Sequence, residues 1–182
     1  MLLFEDPQAT AATERHWWVL HTKPRQEKSL ARQLHEAQIP FHLPLIAHRF
    51  RSRGQILTSY VPLFPGYLFL LADDEERIAA MATRRVANVL KVVNQEMLWQ
   101  DLEQVNRLIA TGASITPEER LQPGMAVEIR SGPLAGLTGK ILRTASGRRF
   151  VVQVNFIQQG ASVLMDNFSL AQIESQPERI AC

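Results

Sequence analysis

The sequence contains almost no cysteine and no long apolar run. The only cysteine is the last residue, Cys182, which excludes a disulfide within the chain and a cysteine-rich zinc site. A single thiol is most simply explained by a reducing compartment. No apolar run approaches the length of a membrane span, and the initial MLLF is too short for the apolar part of a signal peptide. We therefore predict a cytoplasmic protein without membrane contact, whose residues 1–15 form a flexible tail.

The net charge is small, but basic residues are concentrated in one segment. The formal net charge is +2 over 182 residues. From His16 to Tyr60 there are only two acidic residues, against seven basic ones, which are Lys23, Arg25, Lys28, Arg32, Arg49, Arg51 and Arg53. This distribution predicts a local basic surface able to face phosphate groups. A solvated surface with uneven charge is the alternative.

The sequence offers little for catalysis. The acidic run at 73–76 is better explained as a helix start, where carboxylates cap the backbone and oppose the helix dipole. The histidines His21, His42 and His48 lack metal-ligand spacing, and no glycine-rich phosphate loop leads from a strand into a helix. We predict no catalytic residue, no metal site and no cofactor.

Residues 16–110 alternate between strand and helix patterns. A strand at 17–21 is followed by a helix from about Arg25, then by extended segments at 41–50 and 56–61 and a strand at 66–71. Next come a helix capped by Asp73 or Asp74, a strand at 86–93 and a helix capped by Asp101. The apolar residues of the three helices are Leu30, Leu34 and Ala37, then Ile78, Met81 and Ala82, then Leu102, Val105, Leu108 and Ile109. This order predicts an antiparallel α+β sandwich of the ferredoxin-like type.

The remainder of the chain changes character. Residues 111–122 carry Gly112, Pro117 and a charged cluster, and we predict a linker there. Five short strands follow, at 125–130, 138–144, 149–156, 161–166 and near 171–174, so residues 123–176 are predicted to form a small five-stranded β-barrel. Its first two strands flank a turn with three glycines and a proline, in the sequence GPLAGLTG at 132–139.

Four segments, in this order and spacing, resemble the NusG family of transcription elongation factors. They are WWVL at 17–20, PLFPGYLF at 62–69, RRV at 84–86 and the glycine-rich turn at 132–139. The glycine-rich turn alone would be weak evidence for this family, because ribosomal proteins with KOW motifs share it. The segment at 62–69 is most similar to that of specialised, RfaH-type members. The resemblance implies a NusG-type N-terminal domain, a C-terminal KOW barrel, and no enzymatic activity.

The resemblance also implies partners. Family members bind the clamp helices of bacterial RNA polymerase and suppress pausing and termination. We expect Tyr67 and Phe69 to line the polymerase-binding pocket, with His21, Phe64 and Pro65 at its edge; an ordinary core role for both aromatics is the alternative. Specialised members also contact the non-template DNA strand. The candidates for that contact are Lys23, Arg25, Lys28, Arg84 and Arg85.

In the family, the KOW barrel binds the termination factor Rho or a small-subunit ribosomal protein. The corresponding loop here contains Phe156, Ile157 and Gln158, and one of the two consecutive apolar residues should point outward. Val61 stands where the autoinhibited paralogue has a glutamate that pairs across its domain interface, so we expect a permanent barrel in a monomeric protein. A ribosome-associated KOW protein that binds RNA is the alternative function.

Overall fold

The protein folds into two compact units, and the computed structural model describes residues 15–118, 124–144, 147–164 and 170–172. The first unit ends at Leu98 and the second begins at Trp99. Residues 1–14 of the predicted tail and residues 119–123, where the predicted linker ends, lie outside the described residues. The first unit contains β1 (His16–Thr22), α1 (Glu27–Glu36), β2 (Phe41–His42), β3 (Leu45–Ser52), β4 (Gln55–Pro62), β5 (Tyr67–Ala72), α2 (Asp74–Ala82), β6 (Val86–Lys91) and the start of α3 (Gln95–Ala110).

The first unit is built on a four-stranded antiparallel sheet in the order β2-β5-β1-β6. Helix α1 follows the first of these strands along the chain and α2 follows the third, which gives the β-α-β-β-α-β order of a ferredoxin-like sandwich. The predicted fold of this half is therefore confirmed. Strands β3 and β4 form a separate hairpin, inserted between β2 and β5.

One face of the sheet packs against α1 and α2. The buried cluster on this face consists of Leu20, Leu30, Leu34, Ile39, Leu68, Leu70, Ala72 and Ala80. Leu30 and Leu34 thus occupy the predicted apolar face of α1, but Ala37 does not, because it is the exposed C-cap residue. In α2 the buried residue is Ala80, whereas Ile78 and Met81 are exposed. The predicted capping by Asp73 is confirmed, since its side chain accepts a hydrogen bond from the Glu76 amide.

Both faces of strand β5 are buried. Leu68 and Leu70 pack against the helices, and Phe69 and Leu71 on the opposite face are also buried. Strand β5 lies between β1 and the short strand β2, which pairs with Phe69 and Leu70. A strand covered on both faces reads as a continuous apolar run rather than an alternating one, as LFLLA at 68–72 does.

The second unit is a small β structure preceded by the rest of α3. It contains β7 (Thr116–Glu118), β8 (Met125–Ile129), β9 (Thr138–Thr144), β10 (Gly147–Val154), a 3₁₀ turn (Asn155–Ile157), β11 (Gln159–Leu164) and β12 (Leu170–Gln172). The five predicted barrel strands are present as β8 to β12, in an antiparallel sheet ordered β12-β8-β9-β10-β11-β7. Strand β7 lies within the predicted linker and pairs with β11, where the Ser162 hydroxyl donates a 2.5 Å hydrogen bond to Glu118 Oε1.

The glycine-rich turn has a packing requirement at its end. A Cβ atom at Gly139 would lie 2.3 Å from the Val151 carbonyl oxygen and 2.8 Å from the Phe150 ring. Strands β9 and β10 can therefore pair at this point only because residue 139 has no side chain.

Helix α3 starts earlier than the sequence suggested. The predicted cap at Asp101 is wrong, because the helix begins at Gln95 and the Asn94 side chain accepts a 2.9 Å hydrogen bond from the Met97 amide. Asp101 lies inside the helix and is buried. Its Oδ2 atom accepts hydrogen bonds from the backbone and side-chain nitrogens of Asn155, at 2.9 and 3.2 Å. Burial raises the pKa of Asp101 to about 6, although the bonds from Asn155 act to lower it.

No helix within the described ranges is long and apolar enough to cross a membrane.

Replacement of Asp101 by asparagine should remove a pH dependence of stability. The pKa of the folded carboxyl lies above its usual 3.8. The contribution of Asp101 to folding is therefore complete at low pH and is lost as the pH rises through about 6. The loss is on the order of 2–3 kcal/mol.

Urea unfolding from about pH 4 to about pH 8 measures this effect as the difference between wild type and Asp101→Asn. The matched control is Glu103→Gln, because Glu103 is exposed on the same helix. Equal pH slopes for wild type and Asp101→Asn would contradict the assignment.

Candidate functional site

The end of β1 and the beginnings of β5 and β6 meet at one end of the sheet in the first unit. Because β1 runs antiparallel to β5 and β6, its last residues lie beside the first residues of both neighbours. His21 pairs with Tyr67 on one side and Asn88 on the other. These side chains lie on the sheet face opposite α1 and α2, since Leu20 and Leu68 point toward the helices and side chains alternate along a strand. The rings of His21 and Tyr67 are 5.4 Å apart at their centroids.

The predicted polymerase-binding residues come together here, at different depths. His21 and Pro65 are exposed and Tyr67 is half-buried. Phe64 and Phe69 are fully buried and pack edge to face, with centroids 6.3 Å apart. We refer to His21, Pro65 and Tyr67 as the His21–Tyr67 surface. Of the five predicted residues, these three have accessible side chains, whereas Phe64 and Phe69 are part of the core.

A buried carboxylate holds the loop that carries Pro65. Glu27, in the first turn of α1, is buried, and its Oε1 atom accepts a 2.8 Å hydrogen bond from the Gly66 amide. The Gly66 carbonyl in turn accepts a 2.8 Å bond from the Thr22 amide. Gly66 has a φ of +83°, which favours glycine. Sequence reasoning missed Glu27, although an acid amid Lys23, Arg25 and Lys28 was a signal that it serves a local purpose.

The predicted nucleic-acid-binding residues gather beside this surface. The Lys23 amide donates a 2.8 Å hydrogen bond to the Arg85 carbonyl, which joins the start of α1 to the turn before β6. The Arg85 guanidinium donates to the side-chain oxygens of Gln26 and Gln33. Arg85 therefore serves to position this turn. The four exposed cations whose side chains make no hydrogen bond or ion pair to any residue within the described ranges are Lys23, Arg25, Lys28 and Arg84. We refer to these four as the cationic cluster.

Two members of the cationic cluster adopt a backbone conformation that disfavours their side chains. Arg25 and Arg84 both have a φ of 60°, in the left-handed region. Arg84 follows the C-cap residue Thr83 of α2, and its amide bonds to the Met81 carbonyl. Glycine is the usual residue at that position. Strained residues of this kind cluster at functional sites.

The candidate partner loop of the second unit forms a 3₁₀ turn rather than an irregular loop. Phe156 is 37% exposed and Ile157 only 8%, so the expected outward residue is Phe156. Gln158 is exposed, has a φ of 54°, and its side chain donates a 2.6 Å hydrogen bond to the Asn155 carbonyl. Asn155 also bonds to the buried Asp101, which fixes the start of the turn.

The histidines do not assemble into a site. His42 is buried against the Phe69 ring, and burial lowers its pKa to about 4, so it is neutral at pH 7. His48 stacks on Phe50 in the β3–β4 hairpin, and His21 contacts Tyr67. Within the described part of the chain, no group of three or more His, Cys, Asp or Glu residues is placed to hold a metal ion.

The protein has a ferredoxin-like N-terminal unit and a small β-barrel unit. Each of the two units carries a candidate binding surface. Residues 15–111, more than half of the chain, match the family model NusG, described as "Transcription termination factor nusG". The chain belongs to the NusG family. Members of this family are transcription factors that bind RNA polymerase, and a role in transcription elongation follows for this chain.

A solved structure also aligns with the chain, at low sequence identity. A solved structure titled "Domain interaction in Thermotoga maritima NusG" aligns with a TM-score of 0.48 and 18% sequence identity, covering 83% of this chain and 93% of that one. No curated protein matches the chain.

The strain at Arg84 generates a prediction. Arg84→Gly should raise the free energy of unfolding by about 0.5–1 kcal/mol, because glycine adopts a φ of 60° without a Cβ penalty. The same change should weaken binding to single-stranded DNA, because the cationic cluster loses one positive charge. Arg84→Ala is the matched variant, since it removes the charge but keeps the strain. Urea unfolding and DNA titrations measure both effects, and equal stability of the two variants would refute the account of this turn.

Proposed function

We propose that this protein is a bacterial transcription elongation factor that binds the clamp helices of RNA polymerase through its His21–Tyr67 surface and suppresses pausing and termination. The observation that carries the proposal is the pairing of His21 with Tyr67 at an accessible sheet end, in a chain of the NusG family. No bond is made or broken by such a factor. It acts because it binds the closed-clamp state of polymerase more tightly than the paused state, which shifts the population toward elongation.

The His21–Tyr67 surface has the properties of a small binding hot spot. Tyr67 offers an aromatic ring that is partly exposed and contacts the His21 ring. Aromatic residues that are already ordered lose little conformational entropy on binding, and they dominate many interfaces. The hydrogen bond from the Gly66 amide to Glu27 holds the loop that carries Pro65.

The cationic cluster supports a second contact in the same complex, with the non-template DNA strand. It lies at the same end of the sheet as His21, because Thr22 pairs with Val86 and Lys23 bonds to Arg85. Its four side chains are not engaged by other described residues. Lysine and arginine contacts to phosphate are sensitive to salt and carry no sequence information by themselves.

The second unit is proposed to recruit a partner through Phe156, with Ile157 beneath it and Gln158 beside it. The partner is Rho or a small-subunit ribosomal protein, the two partners of KOW barrels in this family. An exposed aromatic residue on a hydrogen-bonded turn is a suitable contact for either. The sequence of segment 62–69 supports a specialised, RfaH-type role. Because the proposed partner is bacterial RNA polymerase, the proposed location is the cytoplasm.

The polymerase contact predicts a loss of affinity in Tyr67→Ala. The full-length variant should bind RNA polymerase about tenfold or more weakly and should lose its effect on pausing, because a central aromatic contact is removed. Binding is measured by titration of labelled protein with core polymerase. Ile78→Ala is the control, since Ile78 is 58% exposed on α2. Phe69→Ala is unsuitable because a fully buried phenylalanine contributes about 3–5 kcal/mol to folding. Unchanged affinity in a folded Tyr67→Ala protein would remove the proposed site.

The recruitment contact predicts that Phe156→Ala binds polymerase normally but binds its second partner about tenfold more weakly. Pull-downs with purified Rho and with the small ribosomal subunit measure this. Leu164→Ala is the matched control, because Leu164 is 49% exposed on the same unit. If Phe156→Ala and Leu164→Ala behave alike toward both partners, the 3₁₀ turn is not the recruitment site.

A further inference from the structure

The β3–β4 hairpin has two chemically different faces. On one face the register pairs Ile46 with Val61, His48 with Ser59, Phe50 with Leu57 and Ser52 with Gln55, so this face mixes apolar and polar residues and carries no arginine. Alternation along the strands places five exposed residues on the opposite face, which we call the arginine face: Arg49, Arg51, Ile56, Thr58 and Tyr60. Leu45, Ala47 and Pro62 complete that face at the end of the hairpin away from its tip. Arg49 lies opposite Thr58 and Arg51 opposite Ile56. All five side chains are exposed, Tyr60 by 60% and Ile56 by 67%.

The hairpin carries only positive charge. Between Glu36 and Asp73 the sequence contains no acidic residue. Arg49, Arg51 and Arg53 are exposed, and within the described ranges none of their side chains makes a hydrogen bond or ion pair. A surface kept merely soluble mixes charges of both signs. A field of a single sign instead attracts a polyanion.

The turn at the tip of the hairpin also carries an arginine, Arg53. Arg53 and Gly54 have φ values of 48° and 81°, so they form a two-residue turn with both central residues left-handed. Asparagine, aspartate or glycine is preferred at the first of these positions, because an ordinary side chain is strained there. Turn geometry therefore does not explain an arginine at the apex, whereas a role for its charge does.

The chemistry of the arginine face fits a phosphodiester chain. Arg49 and Arg51 are two residues apart on one strand, which places their Cα atoms about 6.5–7 Å apart on the same face. Guanidinium groups bind phosphate oxygens in a bidentate manner. The exposed Tyr60 ring, on the same face, can stack on an unpaired base, and such stacking needs no particular sequence.

We propose that the arginine face of the β3–β4 hairpin binds the phosphate backbone of nucleic acid, with Tyr60 stacking on an unpaired base. This surface is separate in the chain from the cationic cluster at 23–28 and 84. Its binding to free nucleic acid does not require polymerase, so it stands independently of the polymerase contact. An acidic protein segment is the other polyanion that such a face attracts, but it does not use an exposed ring on the same face.

The test measures binding of the full-length protein to a short labelled single strand of mixed sequence, and to the matching duplex, by fluorescence anisotropy at several salt concentrations. For Arg49→Gln/Arg51→Gln, the slope of log K against log salt should become shallower by about 1.4 on the single strand and about 1.8 on the duplex. Affinity at low salt should fall about tenfold. Tyr60→Ala should weaken binding to the single strand about tenfold and leave duplex binding within about twofold.

Two controls isolate the face. Arg130→Gln/Arg148→Gln removes the same charge from exposed positions of the second unit, and Leu57→Ala truncates an exposed residue on the face of the hairpin that carries no arginine. If the hairpin variants and their controls have equal slopes and affinities, nucleic acid is not the ligand and the proposal is overturned. Lys23→Ala/Arg25→Ala, tested in parallel, reports on the cationic cluster separately.

Discussion

The pairing of β1 with two antiparallel neighbours determines where the proposed site can be. Strand β1 is central in the sheet, and its residues Val19 and Leu20 are fully buried. Its last residues must then lie beside the beginnings of β5 and β6. That constraint brings His21 against Tyr67 and brings the start of α1 beside the turn that precedes β6. Residues distant in the sequence therefore form one surface, and any shift of the β1 register by one residue would exchange the two faces.

Polar side chains then fix the loops at this sheet end. Glu27 accepts the Gly66 amide bond, and Arg85 bonds to Gln26 and Gln33 across the start of α1. Breaking a buried, satisfied hydrogen bond leaves a group without its partner, which costs about 1–3 kcal/mol. The loops that carry Pro65 and Arg84 are thus ordered before any partner binds. Ordering in advance reduces the entropy that binding must overcome, which is the property that the proposed polymerase contact requires.

Much of the fold could be predicted because local sequence patterns encode most of its helices and strands. Alternating apolar residues and the capping pattern at Asp73 identified strands and helices, and their order predicted the ferredoxin-like unit. The wrong assignments have tertiary causes. Asp101 resembles a helix cap, but it is a buried residue whose partner, Asn155, is far away in the sequence. Ala37 continues the apolar spacing of α1, but the helix ends before it.

The candidate site was only partly visible in the sequence. The aromatic residues at 64–69 and the basic residues of α1 were identified from the sequence, but burial separates Phe64 and Phe69 from the accessible Tyr67. The supporting roles of Glu27 and Arg85 depend on contacts across 39 and 59 residues of sequence, which no local pattern encodes.

Site-specific photo-crosslinking tests the central claim most directly. A photoreactive amino acid is placed at position 67 of the full-length protein, or at the exposed position 78 as a control, and the protein is added to a reconstituted elongation complex. The account predicts a crosslink from position 67 to the clamp helices of RNA polymerase and none from position 78. Absence of a crosslink at 67, or equal crosslinking from both positions, would contradict the proposed polymerase-binding surface.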